Sequence, residues 1–260
     1  MAHPSDVTLR TQDGVRLAAT YWDVGTHGLA CVVAHGFTGS SRNPHVQRIC
    51  AGLVGQGIAV LAPDLRGHGR SAGLGTAGAD EIHDVAAGVA WLREAGYPRV
   101  AVLGWSMGGS AVVRYAGLGG DADAVVSISA PGTWYERGTR SMRLVHWMFE
   151  KRSGRAATRL VRRTRLSPRG WPVVPEAPAE VAGAIAPVPL LIVHGDADHY
   201  FPLHHPEALA AAAPSAQVWI EAAMGHAEVA TTPELVGRIG EWVLVTCGHP
   251  SPVCDDDTRD

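Results

Sequence analysis

Apolar residues along this chain follow two recurring patterns. One is the short, largely unbroken run, seen at Leu29–Ala34, Ile58–Pro63, Arg99–Gly104, Ala124–Ser129, Val188–His194 and Gln217–Glu221. Runs of that length predict strands buried on both faces. The other is the stripe: Ile82, Val85, Val89 and Leu92 return at three- and four-residue steps, as on the inner side of an amphipathic helix. Helices are expected as well over Asn43–Gln56, Met107–Leu118, Pro206–Ala213 and Pro233–Val245, so strands and helices alternate. Before them, Asp6–Arg10 and Val15–Trp22 read as two strands joined at Asp13-Gly14, a hairpin signal. The pattern predicts an α/β fold, a mostly parallel sheet with helices on both faces.

The alternation breaks between residues 131 and 187. Two helices, Thr139–Arg152 and Ala156–Leu166, are expected there, followed by a run rich in proline (Pro168, Pro172, Pro175, Pro178, Pro187, Pro189) that resists helix and ladder alike and reads as an extended wrap. The expected organisation is therefore a core of residues 1–130 and 188–246, a cap of 131–187 at the carboxyl edge of the strands, and a flexible acidic tail of 247–260.

Charge sharpens that division. The net charge of −3 hides a segment, Gly132–Ala186, with eleven basic residues against four acidic ones, a net of +7. Lys151 is the only lysine of the chain, and it lies there. Solvated charge on a cap is the favoured explanation, and attraction of an anionic substrate is the alternative. With 46% hydrophobic and 18% charged residues, the composition is that of a soluble globular protein. No charged start precedes an apolar run at the N-terminus, and the conspicuous apolar stretch Val100–Val113 is too short to span a membrane. A cytoplasmic protein without a membrane anchor or a nucleic-acid partner is expected. Four cysteines are too few for a disulfide scaffold in a chain of this size. Cys31 and Cys50 read as buried thiols; Cys247 and Cys254 flank His249 in a spacing that matches no zinc pattern, so unpaired cysteines and no metal are expected.

The chemistry concentrates at strand ends. Gly104-Trp105-Ser106-Met107-Gly108 fits Gly-x-Ser-x-Gly, and it lies where an apolar strand gives way to a helix rich in alanine and valine. That is the setting of a nucleophile elbow, whose tight turn strains the serine and excludes bulk from its neighbours. Ser106 is the expected nucleophile. The oxyanion donors are expected to be the backbone N–H groups of Met107, at the start of the helix, and of Phe37, in the loop His35-Gly36-Phe37-Thr38-Gly39. His35 itself reads as a brace for that loop. In the order Ser, acid, His, the strand ending in His194-Gly195-Asp196-Ala197-Asp198 supplies the acid and Met224-Gly225-His226 the base. Asp198 is favoured over Asp196, which lies nearer the strand and reads as tied to the turn. Trp105, Trp134, Trp147 and Met148 are candidates for a substrate pocket, with Tyr135, Met142, Val145 and Phe149 beside them.

With these motifs in place, and with Asp64-Leu65-Arg66-Gly67-His68-Gly69-Arg70-Ser71 between them, the chain resembles the α/β-hydrolase superfamily from about Asp6 to Val245. Within it the likeness is to small bacterial carboxylesterases, feruloyl-esterase-like and monoacylglycerol-lipase-like proteins. The resemblance implies an eight-stranded sheet with the second strand antiparallel, and neither metal nor organic cofactor. Ser106 separates the chain from relatives with an aspartate at the elbow, and the oxyanion loop lacks the Gly-Gly-Gly of the hormone-sensitive-lipase branch. Arg66 and His68 are expected to brace the active edge. The implied activity is hydrolysis of a small-molecule carboxylic ester. A thioesterase acting on coenzyme A or carrier-protein thioesters is the second reading, and a ligand-binding pseudoenzyme the third.

Overall fold

The structure is a computed structural model, described for residues 3–248. Eight strands form one sheet: β1 (Pro4–Arg10), β2 (Arg16–Trp22), β3 (Leu29–Ala34), β4 (Ala59–Pro63), β5 (Arg99–Trp105), β6 (Ala124–Ile128), β7 (Leu190–Gly195) and β8 (Gln217–Glu221). Their order across the sheet is β1-β2-β4-β3-β5-β6-β7-β8. Strand β2 runs antiparallel to both of its neighbours, and every other pairing is parallel. This is the α/β-hydrolase fold that the alternation and the resemblance led us to expect.

The central strands are apolar throughout because both of their faces are covered. Along β3, Ala30, Val32 and Ala34 face one core, and Leu29, Cys31 and Val33 face the other. The first core is closed by helices α2 (Glu81–Glu94) and α3 (Met107–Gly117), through Val85, Val89, Leu92 and Val112. The second is closed by α1 (Pro44–Val54) and, late in the chain, Pro233–Thr246, through Ile49, Leu53, Ile239 and Val243. Each such side chain removed from water contributes roughly 1.5–3 kcal/mol. The sheet is thus a rigid platform, and strands β3, β5 and β7 end their loops on one edge of it.

The segment after β6 differs from expectation in detail. Helices α4 (Arg140–Glu150) and α5 (Arg152–Arg162) form, and Thr139 caps α4 by accepting the Met142 N–H at 3.1 Å. The second helix starts and stops four residues earlier than the pattern suggested. Lys151 is extended between the two, and Arg163 turns left-handed (φ 53°) to end α5. The following residues are pinned instead to the loop after β4: Arg165 N–H donates to the Gly67 carbonyl at 2.7 Å, and Ser167 N–H to that of Gly75 at 2.9 Å. Nor is the proline run extended throughout. Pro178 opens the short helix α6 (Pro178–Val181), where its missing N–H costs nothing, and the 3₁₀ turn Ala182–Ile185 buries Ala182 and Ile185 in the first core. After it come α7 (His204–Ala212), α8 (Ala227–Ala230) and α9 (Pro233–Thr246). Most of the expected tail, with His249 and Cys254, lies outside the described residues; Cys247 is a buried free thiol. Among the described residues no helix is long and apolar enough to cross a membrane.

Arg66 locks the loop after β4. Its side chain reaches the fully buried Asp84 on α2 (Nε to Oδ1 2.9 Å) and Asp13 of the β1–β2 turn (2.8 Å), and its own N–H donates to Asp84 Oδ2 at 2.7 Å. Removing one partner of a buried ion pair strands the other. Arg66→Met is therefore expected to lower unfolding stability by about 3–5 kcal/mol, read as a reduced urea midpoint, and Asp84→Asn added to it should recover part of the loss. An unchanged midpoint in Arg66→Met would contradict this role.

Candidate active site

Ser106 stands at the sharpest turn of the chain. Its backbone adopts φ 52° and ψ −115°, a conformation that costs a residue with a Cβ about 1–3 kcal/mol. The turn persists because its surroundings fix it. The Ser106 N–H donates to the Ile128 carbonyl at 2.8 Å, a Cβ on Gly104 would overlap the Gly108 carbonyl, and one on Gly108 would overlap that of Ala34. Strand β5 can therefore pass into α3 only with glycine at both positions.

The turn aims Ser106 Oγ at His226, whose Nε2 lies 2.9 Å away. On the other side of the ring, His226 Nδ1 is 2.7 Å from Asp198 Oδ2. Asp198 follows β7, and its remaining oxygen accepts the N–H groups of Tyr200 (2.7 Å) and Phe201 (3.1 Å). Burial alone would raise the Asp198 carboxyl, but the hydrogen bond and charge of His226, with the two N–H groups, outweigh it and hold it below its ordinary value. With the acid ionised, the Nδ1–H of His226 points at it and the Nε2 lone pair at Ser106. Tyr200 stacks on the His226 ring at 4.2 Å between centroids and limits its rotation. The Ala227 N–H donates to Ser129 Oγ at 3.1 Å, which ties the histidine's loop to the end of β6.

Asp196 points elsewhere. It accepts the Ala223 N–H at 2.6 Å and so joins the loop after β7 to the loop after β8. His35 is buried and braces its own loop: Nε2 accepts the Leu65 N–H at 3.0 Å, and Nδ1 donates to the Gly36 carbonyl at 2.8 Å. Burial pushes its imidazole down to about 4, so it stays neutral. His194 is buried as well, donating to the Phe201 carbonyl at 2.8 Å.

Ser106 and His226 open into a cavity of about 840 Å³. Phe37 and Met107 line it beside Ser106, and among the described residues neither of their N–H groups has a protein acceptor. Both groups are thus free to donate into the cavity at the serine, one of them at the positive end of α3. Trp134 and Met148 line the wall, as do Met142, Val145 and Phe149. Phe149 also packs on Phe37 (centroids 4.8 Å apart), so one face of α4 both covers the cavity and docks on the loop after β3.

Two of the four pocket candidates lie elsewhere. Trp105 is 1% exposed and belongs to the core on the α9 side, with its indole N–H donating to Thr231 Oγ1 at 2.9 Å. Successive strand residues face opposite ways, and the one before the turn points away from the cavity. Trp147 is half-exposed and does not line it, because Met142, Val145 and Phe149 occupy the inward face of α4.

Glu228 was not legible beforehand. Two residues beyond His226, it lines the cavity and accepts the Gly36 N–H at 2.5 Å. Burial raises its carboxyl above the ordinary value, against the pull of that N–H. Its position depends on a contact between residues 192 apart, which no local spacing announces. Glu136, His204 and His205 place three possible ligand atoms within 4.8 Å of one another. However, the Gly132 N–H donates to His205 Nδ1 at 3.1 Å, so the ring proton sits on Nε2 and points at Glu136. Burial pushes His205 down to about 4, so its neutral ring donates Nε2–H to the Glu136 carboxylate, and a nitrogen that carries its proton there is not a metal ligand.

Residues 26–169, more than half of the chain, match the Hydrolase_4 family, described as serine aminopeptidase, S33. The chain belongs to this family of α/β-hydrolases. Solved structures agree. The hydrolase is 25% identical to the esterase Pf2001 of Pyrococcus furiosus, with a TM-score of 0.72, covering 94% of this chain and 92% of that one. Against the α/β-hydrolase GrgF of Penicillium sp. sh18 the TM-score is 0.78 at 17% identity, covering 95% and 99%. Against Est1E of Butyrivibrio proteoclasticus, solved with ferulic acid bound, it is 0.65 at 20% identity, covering 93% and 100%. The last two show the fold alone. No curated protein matches the hydrolase.

Proposed function

We propose that this hydrolase cleaves small carboxylic esters through an acyl-enzyme on Ser106. The observation that carries the reading is the chain of hydrogen bonds from Ser106 Oγ through His226 to Asp198 (2.9 and 2.7 Å), opening into an apolar-walled cavity. His226 Nε2 takes the hydroxyl proton as Oγ attacks the ester carbonyl, and Asp198 holds the ring and stabilises the imidazolium. The N–H groups of Phe37 and Met107 receive the oxyanion. When the tetrahedral intermediate collapses, the C–O bond to the leaving alcohol breaks and His226 returns the proton to that oxygen. Water then repeats the sequence on the acyl-serine, releasing the acid and restoring Ser106. Segment 131–187 acts as the cap, with α4 as its inner wall, and sets the acyl preference. The match to an esterase at 25% identity over nearly the whole chain supports ester rather than peptide chemistry.

A panel of p-nitrophenyl esters from acetate to decanoate, run beside acyl-coenzyme A thioesters and amino-acid p-nitroanilides, tests the reading. The expected result is highest kcat/KM on short and medium acyl esters, insensitive to added salt because the substrate is neutral. Faster turnover of the thioesters would make the protein a thioesterase, and faster turnover of the anilides a peptidase. Turnover of none of the three would leave a binding protein.

A further inference from the structure

A second cleft, of about 370 Å³, lies outside the catalytic cavity and is lined by Arg16, Arg70, Ser71, Arg159, Arg163 and Arg165. These residues come from three separate parts of the chain, namely β2, the loop after β4, and the carboxyl end of α5 with its continuation. Backbone hydrogen bonds hold the three together. The Ala72 N–H donates to the Arg16 carbonyl at 2.9 Å, that of Arg165 to Gly67 at 2.7 Å, and that of Gly75 to Arg165 at 2.8 Å. Arg163 is carried into place by the left-handed turn that ends α5.

The charges themselves oppose this arrangement. Among the described residues only Arg70 of the five arginines has ion-pair partners, Asp64 at 3.2 Å and Asp6 at 2.8 Å, which leaves four guanidinium groups without a carboxylate partner. Like charges gathered in one cleft repel, and a bound anion reverses the sign of that energy. Guanidinium groups present paired N–H donors that match the oxygens of a phosphoryl group, and several unpaired positive charges suit a dianion better than a single carboxylate. We propose that this cleft is a binding site for a phosphoryl group, either free or carried on a larger ligand.

The site adjoins the catalytic cavity without forming part of it. Arg159 on α5 and Arg163, the left-handed residue that ends it, both line the cleft, whereas Arg162 lines the cavity that holds Ser106. The strap from Arg163 to Ser167 divides the two, with Arg165 on one side and Ser167 on the other.

Isothermal titration calorimetry of the full chain with inorganic pyrophosphate, at ionic strength held constant with chloride, tests the site. The expected result is saturable one-to-one binding. The pair Arg159→Gln and Arg163→Gly, the glycine preserving the left-handed turn, should weaken it by about tenfold or more. The same pair should leave kcat/KM on p-nitrophenyl butyrate unchanged, which shows that the variant is folded. Arg162→Gln, on the other face of the same helix, should keep the pyrophosphate affinity. Absence of saturable binding, or equal binding by the double variant, would overturn the proposal. Coenzyme A as competitor separates the two sources: displacement of pyrophosphate marks a carried phosphate, and coexistence marks a free one.

Discussion

Ser106→Ala is expected to lose covalent labelling by a fluorophosphonate probe and to lose turnover by a factor on the order of 10⁶. The substitution removes a single oxygen, and that oxygen's partner is His226 Nε2 at 2.9 Å. The turn should survive, because alanine carries the same Cβ into the same φ of 52° and the surrounding glycines stay in place. A thermal melt close to that of the parent should therefore accompany the loss. On the proposed mechanism, what activity remains comes from the Phe37 and Met107 N–H groups and from binding, which act without the nucleophile. Esterase activity unchanged in Ser106→Ala would end the mechanism, and a collapse in melting temperature would show that the hydroxyl supports the turn.

How much of this could be read in advance depended on whether the information was local. The elbow was legible because Gly104 is demanded by a contact with Gly108 four residues on, at a strand-to-helix junction that hydrophobic pattern alone reveals, although what demands Gly108 in turn is the distant Ala34 carbonyl. The pairing of Asp198 with His226 was legible by order along the chain, since both follow strands that end on the same edge. Side-chain direction was the weak point. Trp105 looked like a pocket residue because it neighbours Ser106, yet the strand pleat turns it into the opposite core. Trp147 sits in an apolar run whose inward face depends on where α4 docks, and nothing in the run gives that. Glu228 and the arginine cleft were hidden for one reason: each joins segments far apart in sequence. Excess positive charge in 131–187 was visible, but Arg16 and Arg70 join Arg159, Arg163 and Arg165 only after the strap is pinned to the loop.

Asp198→Asn should lower kcat by about 10⁴-fold, whereas Asp196→Asn should cost stability with a far smaller loss in rate. The two aspartates are two residues apart on the same loop, so composition and exposure of the loop cannot explain a difference between them. Geometry can. Asp198 Oδ2 meets His226 Nδ1 at 2.7 Å while Oδ1 is held by the Tyr200 and Phe201 N–H groups. Those two N–H groups keep an acceptor oxygen on their side, so an asparagine there must present its NH₂ to the imidazole. The ring then turns its protonated nitrogen toward Ser106 and can no longer accept the serine proton. Asp196 contributes a different bond, to the Ala223 N–H at 2.6 Å, and its amide variant can still accept that bond through its carbonyl oxygen. Its loss should appear as about 1 kcal/mol or less of stability, read as a small drop in melting temperature. The pH dependence follows from the same bonds. The Asp198 carboxyl is held below its ordinary value in the folded protein. It therefore contributes stability above the usual carboxylate range, and that contribution fades only as pH falls below that range. Asp198→Asn should remove that acid-side dependence along with the rate, and Asp196→Asn should retain it. The opposite ranking of the two variants in kcat would transfer the acid's role to Asp196 and leave the fold and the Ser106–His226 contact untouched.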